Sequence, residues 1–541
     1  MLPSVVSREI ISAVRRQLSA QFPSTTDGFG STHGSSAIDQ LLQRPDEVFK
    51  GPYLSFGLPF RTAPEDEVLP FQNISFSFSP YLHQMRAFKR LTGAAPQPTL
   101  VATGTGSGKT ECFMYPLLDH CAANSARGVK ALIIYPMNAL AQDQARRFAK
   151  EIYEQENLKG KVSVGLYTGD GGTGGTTGMS AKAVITNRGT QQENPPDILL
   201  TNYKMLDFLL LRPRDRKLWR YNDPGTLRYL VVDELHTFDG AQGTDLACLV
   251  RRLRDRLGCG DELACVGTSA TVGDDIDALT AYASNVFDTR FREDSVLREE
   301  RLTPAEFLSN NEGAGQELNL AEQWPAAERV ARLHDSGAAQ GGQWLAQASE
   351  LWFEDAGLIE NPVSLGEALM HLPAFEDLLE LACDITDKRL VAERWRQRWA
   401  LPVEPAQTAI DALVSLVAHS RSVQGKGTAP LVTVREQLWL RELRRMVATV
   451  SDRPRLVFRD DLTADSVDSE NDSVNTSVIT LPVVHCNVCH ATGWVSRREI
   501  GKSELVRNIK SIYDTFFNGG LDTVVLYPCL LYTSPSPRDR G

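Results

Sequence analysis

The chain has 541 residues, enough for several domains, since one domain usually takes roughly 100–200 residues. Its 42% hydrophobic and 23% charged residues are typical of a globular protein in water. The net charge of −11 restricts any nucleic-acid surface to a local patch. No apolar run is long enough for a bilayer, no signal-peptide pattern is present, and nine cysteines are scattered along the chain. These features predict a cytoplasmic protein in a reducing compartment, without a membrane partner.

Residues 1–80 are predicted to form an N-terminal extension of short helical, loop-like and Pro- and Phe-rich sequence. From about residue 81 to 290, short apolar runs alternate with longer helical patterns. The runs lie at 97–102, 129–136, 196–201, 227–234 and 263–270. Nearly continuous apolar strands separated by helices predict an α/β fold, in which helices cover both faces of a parallel sheet.

The stretch VATGTGSGKTE (101–111) follows an apolar run and precedes a helical pattern, the context that a phosphate-binding loop requires. Its glycines allow backbone N–H groups to turn toward a triphosphate. Lys109 is expected to reach the β- and γ-phosphates, and the Thr110 hydroxyl to ligate Mg²⁺. The predicted ATP-binding residues here are Thr103, Gly104, Thr105, Gly106, Ser107, Gly108, Lys109 and Thr110. Thr103 stands where the strict pattern has glycine.

Asp233 and Glu234 follow the apolar run LRYLVV and therefore end a predicted strand. A carboxylate at this edge can hold Mg²⁺, and its neighbour can accept a proton from an attacking water. Acid pairs of this kind more often cap turns. The phosphate loop upstream and the stretch Thr268-Ser269-Ala270-Thr271 downstream favour the catalytic interpretation, with Mg²⁺ bound by Thr110 and Asp233.

These motifs together resemble the first motor domain of the superfamily 2 DEAD/DEAH-box helicases, with DELH at 233–236 and TSAT at 268–271. The resemblance implies a RecA-like P-loop NTPase domain over 81–290. It also implies that Gln84 reads adenine, that His236 belongs to the catalytic set, and that 268–271 couples nucleotide state to strand separation. The nucleic-acid contacts it implies lie in YPMNALAQDQ and LLTNYKML, at Pro136, Asn138, Ala139, Thr201 and Asn202.

The longer strings DELHTFDGAQGTDLACLVRRL and LLTNYKMLD resemble the large bacterial Lhr-like and MrfA-like helicases, including the Druantia-type defence helicase. This resemblance implies an ATP-dependent helicase or translocase on DNA, with RNA left open, in anti-phage defence or DNA repair alongside proteins of those systems. Three alternatives are an ATP-driven remodeller of protein–DNA complexes, a DNA-binding scaffold with an idle nucleotide site, and a motor acting on polypeptide. The basic stretch 209–220 fits a phosphate-contacting edge and an ordinary solvated loop equally well.

Residues 291–460 are predicted to be mostly helical, and 461–480 to form a flexible acidic loop. Residues 481–528 are predicted to contain a Cys-x-x-Cys segment and the start of a second RecA-like domain. Cys486 and Cys489 have the spacing of half a structural zinc site, and a pair of reduced cysteines on a hairpin fits equally well.

The tail 529–541 resembles a translated sequencing adapter, so the natural chain is expected to continue beyond about residue 528. Helicases of this family need arginines from the second motor domain for hydrolysis. No convincing copy of these arginines precedes residue 528. The 541-residue polypeptide is therefore expected to bind nucleotide weakly and to hydrolyse it negligibly.

Overall fold

The structure is a computed structural model. It describes residues 3–26, 29, 37–42, 48–64, 66–76, 79–104, 106–169, 174–270, 275–309, 341–399, 403–424, 427–443, 446–461, 479–499, 501–502 and 504–527. The chain divides into a central unit, residues 59–302, and a flanking unit formed by residues 1–58 and 303–541. The predicted acidic loop and the adapter-like tail lie almost entirely outside the described residues.

The elements are numbered along the whole chain. The first segment of the flanking unit contains α1 (Pro3–Gln21), α2 (Ala37–Leu42) and β1 (Phe49–Gly57). The central unit contains α3 (Leu82–Leu91), β2 (Thr99–Ala102), α4 (Lys109–Ala123), β3 (Ala131–Tyr135), α5 (Asn138–Glu154), β4 (Val164–Tyr167), α6 (Arg188–Glu193), β5 (Ile198–Asn202), α7 (Tyr203–Leu211), β6 (Tyr229–Val232), α8 (Gly240–Leu257), β7 (Ala264–Ser269), α9 (Ile276–Phe287) and β8 (Val296–Arg298).

The helices of the second flanking segment, up to His419, are α10 (Pro304–Ser309), α11 (Gly341–Phe353), α12 (Pro362–Met370), α13 (Pro373–Ala382), α14 (Lys388–Trp399) and α15 (Val403–His419), with the two-residue strand β9 (Thr386–Asp387) between α13 and α14. After them come β10 (Arg421–Gln424), β11 (Gly427–Pro430), β12 (Thr433–Leu440), β13 (Met446–Thr449), β14 (Leu456–Phe458), β15 (Thr480–His485), β16 (Thr492–Arg498), β17 (Leu505–Val506), α16 (Ile509–Phe517) and β18 (Thr523–Leu526). Strands thus predominate beyond residue 420.

The central unit is built on a seven-stranded sheet with the order β4-β5-β3-β6-β7-β2-β8. Its neighbouring strands pair in parallel. The predicted α/β, RecA-like fold is confirmed. The five apolar runs form the five inner strands, whereas the two edge strands, β4 and β8, were not predicted.

Alternating side chains of the inner strands enter two separate cores, one on each face of the sheet. In β3, Ile133 and Tyr135 pack with α3, α4 and α5, while Leu132 and Ile134 pack with α7, α8 and α9. All five residues of β3 are buried, which explains why the strand reads as a continuous apolar run. The sheet is thereby held between two helical layers, and its carboxyl edge carries the loops described below.

The flanking unit combines a helical core with antiparallel strands. In α15, four apolar residues at helical spacing are fully buried: Ile410, Leu413, Leu416 and Val417. The strand orders are β12-β1-β9, β10-β11 and β14-β13-β15-β16-β17, with β18 also paired to β16. Over the described ranges, no helix is both long enough and apolar enough to cross a membrane.

Candidate nucleotide-binding site

The phosphate loop connects β2 to the first residue of α4, Lys109. Two buried hydroxyls brace it from within: Thr103 Oγ1 and Ser107 Oγ are 2.6 Å apart, and Ser107 Oγ donates to the Gly104 carbonyl at 2.8 Å. Gly106 and Gly108 adopt φ angles of 83° and 77°, in the left-handed region that favours glycine. Thr105 lies outside the described residues. The loop thus has an internally hydrogen-bonded frame around glycine-dependent turns.

Gln84 lies on α3 and contacts this loop directly. Its Nε2 donates to the Gly108 carbonyl at 3.2 Å, and its Oε1 accepts from the Tyr81 backbone N–H at 3.0 Å. The neighbouring His83 places Nε2 2.9 Å from the Ser107 carbonyl, which requires Nε2 to carry the proton. Burial lowers the pKa of His83 and favours this neutral ring. Helix α3 is therefore attached to the loop by two side chains.

The acid pair follows β6, next to the phosphate loop. Lys109 Nζ lies 3.5 Å from Glu234 Oε1. Glu234 adopts φ 51° and ψ 49°, an uncommon conformation for a residue with a side chain, which costs of order 1 kcal/mol and is concentrated at functional sites. The structure thus brings Lys109 and the acid pair together, although 124 positions separate Lys109 from Asp233 in the sequence.

Thr268, at the end of β7, connects the two acidic residues. Its hydroxyl donates to Asp233 Oδ1 and accepts the Glu234 backbone N–H at 3.0 Å. Asp233 is only 5% exposed. Burial raises the pKa of Asp233, and the Thr268 hydrogen bond offsets part of that rise. One hydroxyl therefore orients both members of the pair.

His236 occupies a short 3₁₀ turn after the acid pair. Its Nδ1 lies 3.2 Å from Ser269 Oγ and 3.4 Å from Glu234 Oε2. The Ser269 carbonyl also accepts the Thr103 backbone N–H at 3.2 Å. The end of β7 is thus in contact with both the acid pair and the phosphate loop. Ala270 follows β7 directly, and Thr271 lies outside the described residues. The coupling role of 268–271 stays a prediction.

Thr110 and Asp233 supply the kind of ligand that Mg²⁺ prefers. A hydroxyl and a carboxylate are hard oxygen donors, and the Asp233 carboxylate is buried close to the phosphate loop. Glu234 Oε2 is buried without a hydrogen-bond partner among the described residues. These residues fit a magnesium–nucleotide complex.

The predicted nucleic-acid residues follow β3 or end β5, two strands that are adjacent in the sheet. Asn202 Nδ2 donates to Asn138 Oδ1 at 2.6 Å, so the two turns are connected. Thr201 is fully buried, and its hydroxyl donates to the Tyr167 carbonyl at 2.7 Å. The Thr201 side chain therefore does not reach the carboxyl edge of the sheet, and the neighbouring residues supply the side chains there. Met137, which is 64% exposed, lies between Pro136 and Asn138, and Ala139 follows.

The basic stretch 209–220 is partly structural. Residues Pro213–Trp219 form a 3₁₀ helix, and the Trp219 indole is buried with Nε1 donating to the Leu209 carbonyl at 3.2 Å. Asp215 is also buried and accepts from Tyr167 Oη at 2.9 Å. The Arg212 guanidinium lies 3.7 Å from the Phe208 ring centroid. Both interpretations of this stretch stay open.

Two sets of contacts at the loop were not predicted from the sequence. Arg147 on α5 donates to Thr110 Oγ1 and pairs with Glu111. Glu299, just after β8, accepts the Gly104 backbone N–H at 2.6 Å. The Glu299 contact spans 195 positions. The local sequence does not identify these partners. It offers one hint, Glu111, a polar residue that directly follows Lys109 and Thr110 where a buried helix begins.

The Cys486–Cys489 segment forms the turn between β15 and β16. His490 donates its backbone N–H to the Cys486 carbonyl at 2.8 Å, and its ring centroid lies 5.6 Å from that of His485. Within the described residues, no three or more His, Cys, Asp or Glu side chains are arranged to hold a metal ion. The described residues therefore do not show a zinc site.

The parallel sheet order, the glycine loop with Lys109 and the acid pair define a RecA-like P-loop nucleotide-binding domain. Residues 81–279 match the family model described as DEAD/DEAH box helicase. This part of the chain is a DEAD/DEAH box helicase domain, which confirms the resemblance read from its motifs. The family uses ATP and Mg²⁺.

Similar proteins include Druantia protein DruE of Escherichia coli (strain UMEA 4076-1), 26% identical over 343 residues, 43% of this chain and 19% of DruE. The uncharacterized ATP-dependent helicase YprA of Bacillus subtilis (strain 168) is 30% identical over 195 residues, 36% of this chain and 23% of YprA. The chain thus spans about a fifth to a quarter of these relatives.

Among solved structures, the DUF1998 helicase MrfA bound to DNA aligns with a TM-score of 0.34 and 20% identity, over 59% of this chain and 44% of that chain. The fold assignment depends on the sheet order and the phosphate loop, not on this alignment.

Proposed function

We propose that the protein is an ATP-dependent helicase or translocase that acts on DNA. The proposal depends chiefly on one observation: Lys109, Glu234 and the Thr268-bridged Asp233 converge at the carboxyl edge of a parallel sheet. The turns that begin α5 and α7 lie at the same edge, so a nucleotide and a nucleic-acid strand can be bound by neighbouring loops.

In this proposal, Lys109 leaves Glu234 and contacts the phosphates when nucleotide binds. Thr110 and Asp233 would hold magnesium, which when bound would supply charge neutralisation at the phosphates. Glu234 is then free to orient and deprotonate the attacking water. The left-handed backbone of Glu234 and the hydrogen bond from its N–H to Thr268 fix the position from which its side chain extends.

DNA is the proposed nucleic acid because the motifs resemble those of the Lhr-like and MrfA-like helicases, and the similar proteins include Druantia protein DruE and the ATP-dependent helicase YprA. Asn138 and Asn202 are the proposed strand contacts, since their amide side chains can bind phosphate oxygens without reading sequence. Defence or repair proteins are the proposed partners, on the same basis.

The test uses a partial DNA duplex that has a single-stranded end. We expect MgATP to drive strand displacement and Lys109→Ala to abolish it. DNA-stimulated hydrolysis without displacement would favour the remodeller instead. For the 541-residue polypeptide, the corresponding test is MgATP binding by calorimetry, which Lys109→Ala should weaken at least about tenfold. Equal binding by the two polypeptides would contradict the proposed site.

Zinc binding by Cys486 and Cys489 is a separate proposal, supported by the two thiols on one tight turn. The metal content of purified protein measures it. A stoichiometric zinc ion that is lost in Cys486→Ser is the expected result, and zinc-free folded protein would contradict it.

A further inference from the structure

Arg147 makes a contact that the proposed mechanism does not use. It lies on α5, and its Nη1 donates to Thr110 Oγ1 at 3.2 Å. The same nitrogen donates to Gln144 Oε1 at 3.2 Å, and Nη2 pairs with the Glu111 carboxylate. The guanidinium therefore holds the first turn of α4 through two adjacent residues.

The Thr110 hydroxyl is also the expected ligand of magnesium. A hydroxyl oxygen that ligates a divalent cation is a poor acceptor for a guanidinium, because both partners are positive and each draws on the same lone pairs. Thr110 is only 9% exposed, so water screens these charges weakly. Arg147 and magnesium thus compete for one oxygen atom.

Arg147 has a place to go when it releases Thr110. Glu111 and Gln144 remain as partners, and Glu111 Oε2 is buried without a hydrogen-bond partner among the described residues. The guanidinium has five N–H donors in a fixed fork, so it can turn toward this oxygen without losing its ion pair.

We propose that Arg147 is a positioning residue, an inference that rests on the proposed function. Arg147 donates a hydrogen bond to the Thr110 hydroxyl in the metal-free site and releases that hydroxyl to magnesium when MgATP binds. The exchange makes nucleotide binding less metal-dependent: Arg147 disfavours the metal-bound state and leaves metal-free ATP binding largely unaffected. Because α5 begins at Asn138, the same exchange alters what holds the helix that starts at the proposed strand contacts.

The experiment measures ATP affinity of the 541-residue polypeptide by calorimetry, once with Mg²⁺ and once with EDTA. The quantity of interest is the ratio of the two dissociation constants, EDTA over Mg²⁺. Arg147→Gln should raise this ratio about threefold to tenfold, the effect of one hydrogen bond to a charged group. A general loss of positive charge would weaken binding in both conditions and leave the ratio unchanged.

Lys150→Gln is the matched control, since Lys150 lies on the same helix and pairs with Glu154 instead. Its ratio should equal that of the wild type. Arg147→Lys is the second variant if Arg147→Gln does not fold: a single ammonium can keep Glu111 but cannot also reach Thr110 and Gln144, so its ratio should also rise.

An unchanged or lower ratio in folded Arg147→Gln or Arg147→Lys would overturn the inference. Wild-type polypeptide that binds ATP in neither condition would instead contradict the proposed function, so the two failures are distinguishable.

Discussion

The Thr268 hydroxyl donates a hydrogen bond to the buried Asp233 carboxylate and accepts the backbone N–H of Glu234. These two contacts join the end of β7 to the end of β6 across neighbouring strands of the sheet. A single side chain thus determines how both acidic residues of the site are presented.

Thr268→Val should destabilise the central unit by about 1–3 kcal/mol, because it leaves a buried carboxylate and a buried N–H without their partner. Valine has nearly the same volume as threonine, so the loss of stability measures the missing hydrogen bonds rather than a change in packing. Chemical denaturation measures it. Thr268→Ser retains the hydroxyl and should lose much less, whereas equal losses in the two variants would contradict the bridging role.

Asp233→Asn should stabilise the protein near neutral pH while weakening MgATP binding. Burial raises the pKa of Asp233 in the folded state, so its contribution to stability is full below the unfolded-state pKa and is lost as the pH rises through the folded-state pKa. The ionised group is therefore unfavourable at neutral pH. Below about pH 4, the usual value for Asp, the advantage of asparagine should vanish.

Unfolding free energies measured across this pH range test the Asp233 prediction. Asp245→Asn is the control for net charge, since Asp245 is an exposed residue of α8. A pH-independent difference between Asp233→Asn and the wild type would count against the burial argument.

Glu299→Gln should tighten ATP binding about twofold to threefold at low salt, because a negative charge is removed next to the phosphate loop. The amide oxygen can still accept the Gly104 N–H, so the tether persists. The gain should shrink as salt is added. Glu300→Gln is the matched control, since the Glu300 carboxylate pairs with Arg61 and Arg86. A similar gain in both variants would show that general charge, not the loop contact, is responsible.

Gly108→Ala should cost about 1–2 kcal/mol and weaken ATP binding, because φ at this position is 77° and a methyl group would overlap the Gln84 side-chain amide. Gly106→Ala separates the two causes: its φ is 83°, but an added methyl group meets no atom within 4 Å. Gly106→Ala should therefore lose stability through backbone strain alone. Denaturation and calorimetry on both variants compare them, and equal losses of ATP affinity would argue against a role for Gln84.

The five inner strands could be predicted because burial on both faces of a parallel sheet makes each strand an apolar run along the chain. The edge strand β8 is three residues long and only its middle residue is buried, so its sequence lacks that signal. The edge strand β4 is fully buried, but Gly165 interrupts its apolar run. The same reasoning placed Asp233 and Glu234 at a strand end and Lys109 in the loop that follows another strand. Thr201 shows the limit of this argument, since its position at the end of β5 is right for a nucleic-acid contact but its hydroxyl points into the protein.

Sequence by itself determined the nucleotide-binding class, because the phosphate loop and the acid pair are local patterns whose chemistry depends on residue type and spacing. Tertiary structure alone decided which groups surround them. Arg147 reaches Thr110 across 37 positions because α5 packs beside α4 on one face of the sheet. Glu299 reaches Gly104 across 195 positions because β8 pairs with β2 and brings the two following loops together. Side chains that act through such long-range contacts leave no periodic or motif-like trace in the chain, since their partners are set by packing rather than by neighbours in sequence.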